Sequence, residues 1–171
     1  ESVMRGGWLL TGDIGEVDSE GYWYITGRKK EIIVSSNGKK IYPARIEALF
    51  KSEPLVSQML VVGDKLPFVT AIFTVNPISA ETLPGMDAYK GKAAAEVAAA
   101  PAVHAEMQKA VTRVNRQLPQ FEQIRKFRIL GREFSIEQGE VTPTMKVRRA
   151  KVLENNRELI GELYAGKDVD I

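Results

Sequence analysis

Hydrophobic and polar positions alternate with a short period through the first part of the chain and with a helical period later. Residues 14–18 and 22–26 are apolar, aromatic or β-branched runs separated by Ser19-Glu20-Gly21, which predicts a hairpin. Residues 31–35 and 39–42 flank Ser36-Asn37-Gly38, and Asn-Gly tolerates the positive φ of a tight turn, so a second hairpin follows. Pro43 suits the first position of a helix, and Ile46, Leu49 and Phe50 fall on one face of it before Pro54 ends it. Residues 55–62 and 68–75 are dense in Val, Leu, Ile and Phe and predict two buried strands.

From 78 to 101 the pattern fades into Pro84-Gly85 and the alanine clusters 93–95 and 98–100, helix-favouring but without a defined apolar face. Val103, Met107, Ala110, Val111, Val114 and Leu118 then mark an amphipathic helix that stops at Pro119. Residues 121–124 suggest one more helical turn. Residues 126–130 alternate charged and apolar side chains, the pattern of a strand with one solvent face. A final helix is predicted over 149–164, with Val152, Leu159, Ile160 and Leu163 inward. This order, without regular βαβ alternation or repeats, predicts an α+β fold: a small, mostly antiparallel sheet with flanking helices, preceded by a β-hairpin.

Composition narrows the function classes. The 171 residues, 44% hydrophobic and 27% charged, fit one domain or one domain with an appendage. Absence of cysteine excludes disulfides, thiolate metal sites and a cysteine nucleophile. The lone histidine, His104, lacks a metal or catalytic motif around it and reads as structural. The net charge of +2 gives no bulk case for a nucleic-acid or membrane-surface protein. No apolar run reaches the roughly 18 residues of a membrane span, and the start lacks a signal-peptide layout. The cytoplasm is the expected compartment, with peripheral membrane contact left open. The chain begins Glu1, and Gly6-Gly7-Trp8 onward reads as the middle of something, so a fragment is expected.

Three segments combine backbone freedom with charge. Thr11-Gly12-Asp13 puts a carboxylate beside a glycine, which suits ribose hydroxyls as well as an ordinary turn. Gly27-Arg28-Lys29-Lys30 offers an arginine fork and point charges to phosphate, carboxylate or sugar, and equally suits a solvated basic turn. In Thr142-Pro143-Thr144-Met145-Lys146-Val147-Arg148-Arg149, proline and threonines keep Lys146 on a loop just ahead of the last helix. A lysine placed there either sits in solvent or neutralises charge developing on a phosphoryl or acyl oxygen. Neither a Gly-x-Ser-x-Gly elbow nor a phosphate-loop motif occurs.

In order and spacing these segments, with Gly7-Trp8-Leu9-Leu10-Thr11-Gly12-Asp13, Ile25-Thr26-Gly27-Arg28-Lys29-Lys30-Glu31, Asn37-Gly38-Lys39-Lys40-Ile41-Tyr42-Pro43 and Ile46-Glu47, resemble the C-terminal part of adenylate-forming acyl-CoA synthetases. The blocks around Lys30 and Lys146 look most like long-chain fatty acyl-CoA synthetases. The resemblance implies an AMP-forming ligase that uses ATP and Mg2+ to turn a fatty acid into an acyl-adenylate, then transfers the acyl group to the thiol of CoA. It assigns Asp13 to the ribose hydroxyls, Arg28 to ribose or phosphate, Lys30 to the hinge, and Lys146 to the carboxylate and α-phosphate during adenylation. Gly38 matches the glycine near the pantetheine channel, and Ser36, Asn37 and Lys40 flank it as CoA-binding candidates.

The family's phosphate-gripping loop, acyl pocket and adenine contacts have no counterpart here. The expectation is therefore a terminal β-hairpin of the large adenylation domain over 1–27 and a small C-terminal lid over 28–171, which folds but does not catalyse alone. The N-terminal adenylation domain of the same enzyme is the expected partner, and the large domain is expected to bind most of the ATP and Mg2+. The alternatives are an acyl-AMP ligase that loads a carrier-protein phosphopantetheine and a nucleic-acid-binding module using Arg28 to Lys30 and Lys146 to Lys151. The near-zero net charge and the lack of a stacking-aromatic motif argue against the last.

Overall fold

The structure, a computed structural model, describes residues 3–165. Two short antiparallel hairpins open it: β1 (Met4–Arg5) with β2 (Trp8–Leu9), and β3 (Asp13–Val17) with β4 (Trp23–Arg28). The second is the hairpin expected from the sequence, closed by Asp18, whose carboxylate accepts the N–H groups of Glu20 and Tyr22. The side chains of both hairpins are largely uncovered, with Trp8, Trp23 and Ile25 each more than three-quarters exposed.

A 3-10 turn over Lys29–Glu31 follows, then β5 (Ile33–Val34) and β6 (Lys40–Ile41), the second expected hairpin, shortened because residues 29–31 coil before the strand begins. Helix α1 (Pro43–Phe50) starts at the proline and buries Ile46 and Phe50. Strands β7 (Val56–Val62) and β8 (Val69–Val75), the two expected buried strands, pair antiparallel.

The segment without a readable pattern holds α2 (Pro77–Glu81), capped by the Asn76 side chain, and α3 (Ala94–Ala98). It leads to the amphipathic α4 (Pro101–Asn115) and a 3-10 turn at Gln120–Glu122. Strand β9 (Ile124–Leu130) then joins the edge of β8, running parallel to it. That parallel pair is the exception within an otherwise antiparallel set of pairings, and the helical crossover between β8 and β9 supplies the long connection that a parallel pair needs. The expected last helix is two: α5 (Arg149–Asn155) and α6 (Arg157–Tyr164). They break at Asn156, whose side-chain amide donates to the Val152 carbonyl at 2.8 Å while its backbone leaves the helical region.

The three-stranded sheet separates two apolar layers, because successive side chains of a strand point to opposite faces. Met59, Val61, Ala71 and Phe73 face α1 and α4, forming the larger core with Ile46, Phe50, Val103, Met107 and Val111. Leu60, Val62, Ile72 and Leu130 face the other way, against Phe134, Val141 and Val152. Tyr164 fastens α6 over this second layer. Its hydroxyl lies 2.9 Å from the Thr70 hydroxyl and donates to the Phe68 carbonyl at 3.0 Å. Burial, only partly opposed by the Thr70 hydrogen bond, pushes its pKa up to about 12. His104 stacks on Phe127 at the surface of α4, a packing role.

Candidate functional site

Asp13 and Arg28 face each other across β3 and β4, and the guanidinium Nε stands 3.2 Å from the carboxylate. Gly12, at φ +77°, turns the chain so that its carbonyl accepts the Lys29 N–H at 2.8 Å. The Thr11 hydroxyl accepts the Asp13 N–H at 3.1 Å. The first two basic and acidic segments named from the sequence are thus one local structure. Thr11, Gly12, Arg28 and Lys30 line a common open cleft. Lys30 itself is exposed within the 3-10 turn that links the first hairpin to the rest of the fold.

Lys30 also borders a second cleft, of about 660 Å³, whose other walls are Val61 to Asp64 and Val147 to Ala150. The segment around Lys146 therefore meets the linking turn across one depression.

Lys146 sits on a tight turn between Val141 and Val147, which form an antiparallel bridge. The Met145 N–H donates to the Thr142 carbonyl at 2.8 Å, closing a turn with Pro143 and Thr144 at its centre. Met145 takes φ +60°, a conformation costing a side-chain-bearing residue about 1–2 kcal/mol, directly before the lysine. The Thr142 hydroxyl accepts the Lys146 N–H at 3.0 Å, and the Thr142 N–H donates to the Lys146 carbonyl at 2.9 Å. The backbone of Lys146 is thus held from both directions. Among the described residues its ammonium has no partner.

Ser36, Asn37, Gly38 and Lys40 lie elsewhere. Gly38 has φ +74° and donates its N–H to the Ser35 carbonyl, and the Ser36 N–H donates to the Leu66 carbonyl at 3.0 Å. All four residues are exposed. Asn37 borders a smaller cavity with Phe68, Phe121 and Arg125, and the Lys39 ammonium lies 5.9 Å from the Phe121 ring centre. The cavity beside Asn37 shares no lining residue with the cleft beside Lys146.

Two ion pairs beneath the Lys146 turn escaped the sequence reading. Arg149 bonds the Glu47 carboxylate at 2.5 Å and the Val61 carbonyl at 2.6 Å, tying α5 to α1 and β7. Glu47 also accepts the Val61 N–H at 3.0 Å. Both residues stood in quoted motifs, but 102 positions of separation hid the pairing.

The second pair is Glu140 with Arg132. The fully buried carboxylate receives both terminal nitrogens of the guanidinium, at 2.6 and 2.9 Å. Burial alone pushes the Glu140 carboxyl up, but the Arg132 fork and the Asn155 amide outweigh it and hold the group below its ordinary 4.5. A group with a depressed folded-state pKa contributes stability that is full above its unfolded value and lost as pH falls through the folded one. In denaturation series, the stability advantage of the parent over Glu140→Gln should be constant above pH 4.5 and shrink steadily below it. A pH-independent gap would contradict this.

A family profile described as the AMP-binding enzyme C-terminal domain matches residues 30–168. Long-chain-fatty-acid–CoA ligase FadD15 of Mycobacterium tuberculosis is 43% identical over 162 residues, covering 92% of this chain and 26% of its own length. Long-chain-fatty-acid–CoA ligase ACSBG2 of Gallus gallus is 35% identical, over 96% of this chain and 24% of its own. The chain thus spans about a quarter of the length of these relatives. Among solved structures, the A domain of carboxylic acid reductase from Segniliparus rugosus, in complex with AMP and a co-purified carboxylic acid, matches with TM-score 0.74 and 25% identity, over 95% of this chain and 24% of that one. The A-PCP didomain of the same reductase, in complex with AMP, matches with TM-score 0.69 and 27% identity, over 95% of this chain and 21% of that one.

Proposed function

Because this chain belongs to the AMP-binding enzyme family through its C-terminal domain, we propose that it is the C-terminal lid of an AMP-forming long-chain fatty acid–CoA ligase. In the first step a fatty acid carboxylate attacks the α-phosphate of ATP, and pyrophosphate leaves. In the second, the CoA thiol attacks the acyl carbonyl, and AMP leaves. The observation that carries the reading is the Lys146 turn, a backbone-fixed lysine whose ammonium has no partner among the described residues, in the segment that resembles the one carrying the family's adenylation lysine. Its charge would meet the carboxylate and α-phosphate oxygens as negative charge redistributes between them, without first giving up a protein partner.

Asp13 would accept hydrogen bonds from the ribose hydroxyls, and Arg28, paired with it, would both orient that carboxylate and reach the ribose or phosphate. Lys30 is proposed as the pivot. Its place in a short 3-10 turn between two hairpins concentrates any rotation in a few backbone angles. Gly38, with Ser36, Asn37 and Lys40, would meet the pantetheine arm of CoA. The cavity bordered by Asn37 is separate from the cleft bordered by Val147 to Ala150, which supports a rotation that offers one face for each step. Residues 1–27 would belong to the large adenylation domain, and the bare Trp8, Trp23 and Ile25 are the kind of apolar surface that a neighbouring domain covers. Mg2+ would accompany the ATP phosphates. Among the described residues no three acidic or histidine side chains cluster to hold a metal.

A second reading, loading of a carrier-protein phosphopantetheine, is favoured by the likeness to the A-PCP didomain of carboxylic acid reductase. The two separate on the acceptor. The full-length enzyme, supplied with fatty acid and ATP, should form acyl-CoA when given CoA. Acylation of a holo-carrier protein with no product from CoA would reverse the assignment.

A further inference from the structure

Glu140 directly precedes Val141, whose bridge to Val147 closes the Lys146 turn, and its carboxylate is fully buried. Arg132 supplies two hydrogen bonds to it, and the side-chain amides of Asn155 and Asn156 supply one each, at 3.1 and 3.4 Å. Its main chain is tied as well. The Glu140 N–H donates to the Ser135 carbonyl at 3.0 Å, and its own carbonyl accepts the Arg148 N–H at 2.7 Å. One residue therefore grips both flanks of the turn: six positions before Lys146 it anchors the incoming segment, and through Arg148, Asn155 and Asn156 it anchors the outgoing segment and the end of α5.

Stability alone does not explain a charge at this depth. A buried ion pair commonly contributes no more than well-packed apolar side chains of similar size, because desolvation offsets the Coulomb attraction. A carboxylate with four directed donors does what an apolar cluster cannot, which is to fix the orientation of the three segments that meet on it. Met145, held at φ +60° in the middle of the turn, is the kind of conformation that persists only where its surroundings impose it.

We propose that Glu140, clamped by Arg132, Asn155 and Asn156, is a positioning residue that fixes the Lys146 turn in the geometry required for adenylation. The proposal rests on the assignment of Lys146 to that step. Glu140 touches no substrate and acts only through the turn.

The test compares Glu140→Gln with the parent in the full-length enzyme, following ATP–pyrophosphate exchange and acyl transfer from supplied acyl-adenylate to CoA separately. Glu140→Gln should lower kcat for exchange by about 10- to 100-fold, as misplacement of a reacting group does. KM for ATP and the transfer half-reaction should stay within about twofold. Arg132→Lys, which keeps the charge but loses the paired fork, should show the same split in milder form and serves if Glu140→Gln does not fold. In a Lys146→Ala background Glu140→Gln should cause no further loss, since the turn then carries nothing to position. Equal loss in both half-reactions, or an undiminished effect in the Lys146→Ala background, overturns the positioning role. If Lys146→Ala itself leaves exchange intact, the assignment of Lys146 is what fails, and the positioning role falls with it.

Discussion

Lys146→Ala in the full-length enzyme is expected to lower the adenylation rate by about 10²–10³-fold, the usual consequence of removing one preorganised donor from a developing charge. Transfer of acyl groups from supplied acyl-adenylate to CoA should be largely intact. The asymmetry follows from the structure of the turn. The backbone of Lys146 is held by hydrogen bonds to Thr142, and its ammonium has no partner among the described residues, so truncation beyond Cβ removes charge without unmaking the fold. Lys146→Arg should recover only part of the rate, because the planar guanidinium delivers its charge from a different distance and direction. Unchanged binding of ATP with reduced turnover would identify an interaction made in the transition state. Parallel loss of both half-reactions would mean that Lys146 does not have the assigned role.

Phe73→Ala is expected to destabilise the chain by about 3–5 kcal/mol, a large part of the roughly 5–15 kcal/mol typical of a folded domain. Phe73 is fully buried at the centre of the larger core, 5.1 Å from the Phe50 ring and 5.7 Å from that of Phe127. Removing it opens a cavity where β7, β8 and β9 meet α1. Trp23→Ala makes the contrast, since that indole is 81% exposed and surface substitutions typically stay within about 0.5 kcal/mol. Denaturant unfolding of the 171-residue chain and both variants reads the difference directly. A cooperative transition for the parent, lost or strongly shifted in Phe73→Ala and kept in Trp23→Ala, means that the sheet and its helices fold as one unit. Similar midpoints for all three would place the stability elsewhere.

Local patterns made much of this fold readable. The hairpin turns at Ser19-Glu20-Gly21 and Asn37-Gly38, the proline that opens α1, and the apolar runs of β7 and β8 all speak through neighbours a few residues apart. The α+β class followed from them. What escaped depends on distance along the chain. The parallel pairing of β9 with β8 depends on a crossover of roughly fifty residues, about half of it weakly patterned, and strand alternation alone carries no direction. The break at Asn156 comes from an amide that bonds Val152 and Glu140, a competition invisible to helical periodicity.

The candidate site divides in the same way. Asp13, Arg28 and Lys146 announced themselves through glycine, proline and charge. Glu140 and Arg132 did not, because a buried carboxylate and its partner look like any two loop charges until the fold closes over them. Supporting residues of this kind carry no motif; they are recognisable only by burial and by the number of donors that converge on them.

The proposed reaction has two steps, in which an acyl-adenylate precedes the thioester. A single-turnover experiment on the full-length enzyme with labelled long-chain fatty acid, ATP and CoA, quenched over time and resolved by mass, tests it most directly. Acyl-adenylate and pyrophosphate should appear first, followed by acyl-CoA and AMP in equal amounts, with the adenylate accumulating when CoA is withheld. Formation of ADP and phosphate, or of acyl-CoA without a preceding adenylate, would contradict it.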